Sequence, residues 1–548
     1  MLVKFIGKPF LLQYKRNERL YCRGGICAII KVILRKEVHF LIRELGKEGS
    51  QVEKGRNKMY RLPAAVLAGF SCLAISGTVT EAAVQTNAER IITNDEAGRQ
   101  LQQAEAQVRK PTGQAVAIDD ITVPVTEVKV AASSSLSEAS VRSLLPELNK
   151  DKVNIRKLSR EIQLVNDTGA AKLGSVFTSN HDGSFSVKVA NEANKNDYWG
   201  ISFANTGNTY SGDWRSTVSY VNNNISKRAD SLGIAYATSP DKHFSDVKQA
   251  AMSYRLLLPD LGGALLANYS YSDIDLGNIA PSAWNGLFDY MASGKGTNAG
   301  LHYQQYLAYT SREKDILDFG LDYRRSKSCS NLAFSNGSNS VNNDNDYSLK
   351  LISVGFKHNN RDMSHSFTYE ASVNANINGD EQAFLRNSAG SDKQFTFAAA
   401  GVSYQLKSAN DWIMGVRAQG QFTNNHLVGM AQLGAGGMYS VRGFDNSVIS
   451  ADRGLVANLE IYTPEVLPNS RFVAFVDYGN IINNVNAQTN CFGHEHLASV
   501  GLGYRYTNQA SGVSLSVDYA KVVDDLNEDV MNKDLGHRRW NAMLSVNF

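Results

Sequence analysis

The sequence has little that would cross-link or kink a fold, and no run that would anchor it in a membrane as a helix. Its 548 residues include only 5 cysteines and 10 prolines. Cys22, Cys27 and Cys72 fall near the N-terminus, so only Cys329 and Cys491 remain for the rest. Two such distant thiols exclude a disulfide framework. No apolar run reaches the ~20 residues of a membrane helix, apart from one short segment near residue 70. A net charge of +3 is also deceptive. Through Arg61 there are 15 basic residues against 5 glutamates, a surplus of +10, so the remainder carries −7. A nucleic-acid partner therefore has no support in the main body of the chain.

What is abundant is glycine (44), tyrosine (24) and phenylalanine (22), with many asparagines and serines. The mean hydropathy of −0.28 does not argue against a membrane protein. A transmembrane barrel alternates lipid-facing and lumen-facing residues, which cancels the hydropathy signal.

Residues 1–58 are basic and are read either as an extended leader or as an upstream start that is not used. Lys58 and Arg61, the apolar Leu62–Ile75 and the small-residue site at Thr80-Glu81-Ala82 form a signal-peptide layout over 59–82. A lipoprotein reading of Cys72 meets Gly69 where leucine is wanted. In 83–118, Asn94-Asp95-Glu96 opens a helix that Arg109, Lys110 and Pro111 close. Its apolar stripe of Leu101, Ala104 and Val108 is too narrow for a core, so on its own it reads as a linker helix.

Residues 119–195 change pattern to strand, helix, helix, strand, strand, a small α+β domain. Ile121, Val123 and Val125 alternate, Val141, Leu144, Leu145 and Leu148 keep helical spacing, and so do Ile155, Leu158, Ile162 and Val165. Asp182-Gly183 turns a hairpin between Val176-Phe177 and Phe185, Val187 and Val189.

From 196 to 548 the period is two. Leu265, Ala267, Tyr269 and Tyr271 oppose Asn268, Ser270 and Ser272, and Val513, Leu515, Val517 and Tyr519 oppose Ser514, Ser516 and Asp518. Trp540, Ala542, Leu544, Val546 and Phe548 end the chain with a strand of the length that crosses a bilayer, ~9–11 residues. Tight connections (226–229, 312–314, 409–411, 508–511) alternate with long ones (278–295, 329–347, 378–393, 426–453, 481–495). That is the rhythm of an all-β transmembrane barrel of about sixteen strands. It places Cys329 and Cys491 in outer loops.

Few residues suggest chemistry. Cys491-Phe492-Gly493-His494-Glu495-His496 offers soft metal ligands but no visible fourth one, so a polar outer loop is the competing reading. Asn343-Asp344-Asn345-Asp346 lacks the glycine and distal glutamate of a calcium loop. No hydrolase, metalloprotease or dinucleotide motif is present, so neither an enzyme nor a cofactor or metal is expected.

The most unusual stretch is Gly434–Asp445, GAGGMYSVRGFD. Arg442 stands alone between Val441 and Gly443-Phe444. In Arg471–Asn480, alternation sets Phe475, Asp477 and Gly479 on the face opposite Phe472, Ala474, Val476 and Tyr478. Two readings remain on these grounds. Arg442 either reaches Asp477 inside a barrel or is a surface arginine on a glycine-rich external loop.

The Val441-Arg442-Gly443-Phe444 loop, the Phe475-x-Asp477-x-Gly479 strand and the terminal Phe548 resemble the outer-membrane transporters of two-partner secretion, the haemolysin secretion/activation family. The resemblance covers about Asn94 to the end and is sharp after Trp412. It implies that Arg442 pairs with Asp477 in the lumen, that Thr93–Lys110 is a plug helix, and that 119–195 is one periplasmic POTRA domain where the family usually has two. It further implies export of a large, strand-repeat-rich exoprotein to the cell surface without nucleotide hydrolysis. Lipid and the barrel-assembly machinery are the other partners implied, the latter reading Trp540 and Phe548. A barrel-assembly insertase shares the loop and strand but carries more POTRA domains, and a passive porin needs neither POTRA domain nor plug.

Overall fold

A computed structural model describes residues 122–548 apart from 208–210, 243, 279–287, 335–339, 485–492 and 525–537, and the backbone of a short hairpin, Leu2–Phe5 with Lys8–Leu11. The rest of residues 1–58, the expected signal peptide (59–82) and the expected plug helix (83–118) lie outside the described residues, as does Cys491.

The small domain is built by two capped helices on a sheet. β1 (Thr122–Val130) leads to α1 (Glu138–Leu144), whose N-cap Ser137 accepts the Ser140 N–H. β2 (Lys152–Asn154) precedes α2 (Ile155–Thr168), which Asn154 caps and Gly169 ends in the left-handed conformation. β3 (Ala171–Ser179) and β4 (Phe185–Ala193) follow as a hairpin. A 3-10 turn (Pro146–Asn149) and β2 are added to the order expected from the sequence. The sheet runs β2-β1-β4-β3, with β1 and β4 parallel and β3 at one edge. Leu158, Ile162 and Val165 of α2 are buried in one core with Val187 and Val189, as their helical spacing predicts.

The rest is a closed antiparallel barrel of 16 strands. They are β5 (Asp197–Ala204), β6 (Arg215–Asn222), β7 (Ser231–Thr238), β8 (Val247–Leu258), β9 (Gly263–Asn278), β10 (Phe288–Tyr309), β11 (Glu313–Phe334) and β12 (Ser340–Arg361). After β13 (His365–Asn376) comes a short helix, α3 (Glu381–Asn387), then β14 (Phe395–Lys407) and β15 (Ile413–Phe422). A loop carrying the mini-hairpin β16 (Leu433–Ala435) and β17 (Ile449–Ala451) leads to β18 (Arg453–Tyr462). β19 (Ser470–Ile482), β20 (His494–Asn508), β21 (Val513–Asp524) and β22 (Arg538–Asn547) complete the wall. β22 pairs with β5, and the Phe548 N–H and C=O both bond to Trp199 at 2.9 Å.

Burial follows the expected alternation. Phe472, Val476 and Tyr478 are exposed on the outer face, where lipid would lie, while Phe475 and Asp477 are buried within. Trp540, Leu544 and Phe548 likewise point outward while Asn541 and Ser545 are buried.

Two expectations need correction. β10, β11 and β12 each run for 22 residues, about twice what a bilayer requires. Much of the stretches 278–295 and 329–347, expected as loops, is therefore paired strand. Cys329 lies on β11 opposite Asp344, and Asn343–Asp346 lie on β12, where Asp346 takes two hydrogen bonds from Arg325. Above the membrane both faces of a hairpin are wet, so the alternation that marks a strand disappears while its hydrogen bonds persist.

The small domain sits on the tight-turn end of the barrel. Its core runs on into Leu257, Ala264, Tyr306 and Tyr309 of the barrel. Lys314 reaches Asp167 of α2 at 2.6 Å, and Asn224 donates to the Ser135 carbonyl at 2.7 Å.

Candidate functional site

The loop between β15 and β18 turns into the barrel. Its base is fixed by fully buried Asp452, which accepts hydrogen bonds from the Leu427 and Asn484 N–H groups at 2.8 and 2.7 Å and from Gln432 Nε2 at 3.1 Å. His426 places Nδ1 2.8 Å from Asp452 and Nε2 2.9 Å from Ser388 Oγ. A serine, histidine and aspartate in this order suggest a hydrolase, but Ser388 caps the C-terminal end of α3, whose dipole opposes an oxyanion. The group ties two loops together.

Beyond β16 the backbone needs glycine. Gly436 and Gly437 have φ of 102° and 103°, and a Cβ on Gly437 would run into Asn446. The chain then lays Val441 to Phe444 against the inner wall. Gly443, at φ 98°, lies so near β21 that its Cβ would sit 3.1 Å from Val522. Two strands away on the same wall, a Cβ at Gly479 would sit 3.2 Å from Val441. Phe444 is buried among Ala435, Val441, Ile481, Leu497 and Val522, so it is a packing residue.

Arg442 is 3% exposed and enters a cage of acids. Its Nε and Nη2 donate to the two oxygens of Asp477 at 2.7 and 2.8 Å, and its backbone N–H donates to Asp477 at 3.0 Å. Nη1 lies 2.8 Å from Glu460 and 3.3 Å from Asp518. The guanidinium carbon is 3.4 Å from the centroid of the Phe475 ring, a cation–π contact. Arg505 holds Asp518 at 2.6 and 3.0 Å, Asn458 donates to Asp477 at 2.8 Å, and Tyr462 donates to Glu460 at 2.6 Å. Two cations thus face three carboxylates. A buried ion pair of this kind contributes little net stability, yet removing one partner costs about 3–5 kcal/mol. Such a cage fixes geometry more than it adds stability.

The expected residues therefore converge: Val441, Arg442, Gly443 and Phe444 meet Phe475, Asp477 and Gly479. Trp540 and Phe548 stand apart, on the outer face at the barrel seam. Glu460, Asp518, Arg505 and Asn458 are not singled out by any local motif. Their signal is a charge or amide at a lumen-facing position of strands near Asp477, and it needs the register to be read. Beyond Phe444, Asp445 pairs with Arg539 of β22 and Asn446 donates to the Thr206 carbonyl after β5, so the loop tip touches both sides of the seam.

Of the thiol–imidazole segment, Cys491 lies outside the described residues. His494 and His496 contact Asn480 and Tyr478, whereas Glu495 is buried. One other group, Glu313, Asp315 and His358, brings three possible metal ligands within 4.8 Å of one another on the outer face of β11 and β12. A His358–Asp315 contact of 2.6 Å already satisfies two of them.

The family model of the haemolysin secretion/activation proteins ShlB/FhaC/HecB matches residues 183–506, more than half of the chain. The chain belongs to this family. Among solved structures it is similar to CdiB from Escherichia coli, at TM-score 0.64 and 16% identity over 97% of this chain and 100% of that one. It is also similar to CdiB from Acinetobacter baumannii, at TM-score 0.58 and 17% identity over 78% and 74%. These likenesses are of fold. No curated protein sequence matches. As a member of the family the protein is an outer-membrane β-barrel transporter that secretes a partner exoprotein, and it is not an enzyme.

Proposed function

We propose that the barrel exports a large, strand-repeat-rich exoprotein through its lumen, and that the Arg442 cage holds the loop in the conformation that passage requires. The observation that carries this reading is the buried three-bond contact of Arg442 with Asp477. A residue this desolvated is poorly placed to bind a client directly, so it acts by positioning the loop.

The client would first meet the periplasmic POTRA domain (119–195). β3 is an unpaired edge of its sheet, with Val176 62% exposed, which suits capture by strand addition. The segment 83–118 would plug the lumen at rest, and displacement of that plug would open the path. Export runs without nucleotide hydrolysis, driven by folding outside. Trp540 and Phe548, on the outer face of the closing strand, would serve the barrel-assembly machinery.

The test is a secretion assay in a strain lacking this gene, complemented with wild type or Arg442→Ala. Loss of one large exoprotein, restored only by wild type, is the expected result. Normal secretion by Arg442→Ala, with the barrel assembled, would refute the role of the loop. A general fall in outer-membrane barrels would instead indicate an insertase, and unchanged proteins would leave a porin.

A further inference from the structure

Five neighbouring strands carry a charge in one row of directly opposed residues on the outer face. Lys248 on β8 stands directly opposite Asp273 on β9, which stands opposite Lys295 on β10. Lys295 in turn faces Lys327 on β11, and Lys327 faces Asp346 on β12. All five share the outward parity of Met252, Tyr269, Leu301, Leu321 and Ile352, which are exposed, whereas Gln249, Ser272 and Ser326 beside them are buried.

The position of this row on β11 is informative. β11 starts beside the Lys314–Asp167 contact with the small domain and passes Phe319, Leu321 and Tyr323, exposed and apolar, before it reaches Arg325 and Lys327. On β11 the row thus tops the apolar stretch on the side away from the small domain, where the headgroups of the outer leaflet would lie.

Its charges are not balanced among themselves. Lys295 pairs with Asp273 at 2.9 Å, and Arg325 grips Asp346 with two hydrogen bonds at 2.9 and 2.6 Å. Exposed Lys327 still faces Lys295 across the strand pair, and exposed Lys350 lies on β12 nearby. Like charges directly opposite each other destabilise a strand pair, and a shared anion relieves that cost.

We propose that this row binds the phosphate groups of the outer-leaflet glycolipid, with Lys295 and Lys327 sharing one phosphate. Lysine presents a compact charge with three donors, suited to phosphate oxygens, and basic clusters at a bilayer surface recruit anionic lipid. The surface lies on strands other than those of the Arg442 cage and faces lipid rather than lumen, so it is independent of the export reading.

The experiment uses the full chain in an uncharged detergent, with lipid binding read by native mass spectrometry. The probes are diphosphoryl lipid A, the same lipid dephosphorylated, and inorganic phosphate. Wild type is expected to prefer the phosphorylated lipid by about tenfold, and Lys295→Gln/Lys327→Gln to lose most of that preference. Lys295→Arg/Lys327→Arg should keep it, and heat-modifiable mobility confirms that each variant is folded. Equal binding of the two lipids, an undiminished preference in the glutamine variant, or binding of inorganic phosphate as tight as that of the lipid would each overturn the proposal.

Discussion

Asp477 takes three hydrogen bonds from one residue: Arg442 offers its backbone N–H, Nε and Nη2 to the two carboxylate oxygens. The side-chain fork sets the direction of the guanidinium, and the backbone bond sets the height of the loop. A lysine supplies neither the fork nor the planar face that lies over Phe475.

Arg442→Lys is therefore expected to behave more like Arg442→Ala than like wild type. Both should assemble as heat-modifiable barrels and both should release the loop, since about 3–5 kcal/mol is at stake when a buried acid loses its partner. Limited proteolysis within 434–447 on purified protein checks this. A loop as protected in the lysine variant as in wild type would show that charge alone suffices.

Gly479 leaves room for Val441. A Cβ there would already sit 3.2 Å from Val441 Cγ2, so Gly479→Val overpacks the contact at a cost of about 1–3 kcal/mol. The barrel should form, because the strand tolerates valine, while export falls. A compensating Val441→Ala should recover part of the loss, measured as secreted exoprotein.

The periplasmic domain should carry a pH dependence of its own. Burial pushes the Glu161 carboxyl up to about 7 from 4.5. A folded-state value raised above the unfolded one means the native domain holds a proton that the unfolded chain releases. The stability this gives is present in full below pH 4.5 and is lost as pH rises through 7. Glu161→Gln keeps an oxygen for the Glu147 N–H, found at 3.1 Å, and removes the titration. Hydrogen exchange of the α2 amides, read on the full chain at pH 5 and pH 8 as protection relative to the intrinsic rate at each pH, should show greater protection at pH 5 in wild type and equal protection at both in the variant. The difference is worth about 3 kcal/mol at most.

Deleting Phe548 removes both backbone hydrogen bonds to Trp199 and one outward ring at the seam. Assembly of the barrel should slow, seen as a larger fraction of unfolded, heat-insensitive protein after a short pulse of synthesis. Phe548→Ala keeps the backbone pairing and separates the two contributions. A rate like wild type in the alanine variant would assign the effect to pairing alone.

Much of the fold is legible without coordinates because it rests on short-range periodicity. Leu158, Ile162 and Val165 identify one helix face. Phe475, Asp477 and Gly479 share a wall because side chains in a strand alternate. The terminal strand declares itself through Trp540, Leu544 and Phe548. The length of the outer hairpins is not legible, since polar residues on both faces hide the alternation, and so the sequence pattern places Cys329 and Asn343–Asp346 in loops.

Local alternation is enough to tell lipid-facing from lumen-facing residues and to single out one arginine in a glycine-rich loop. What that arginine meets depends on the fold. Asp477, Glu460 and Asp518 come from three strands, and they come within reach of one guanidinium because the register of β18 to β21 sets Glu460 opposite Phe475, two residues from Asp477, and Asp518 opposite Gly503, which faces Val473. The same holds for Lys295 opposite Lys327. Register is a property of pairs of strands, fixed by hydrogen bonds between distant segments, and no local pattern within either segment encodes it.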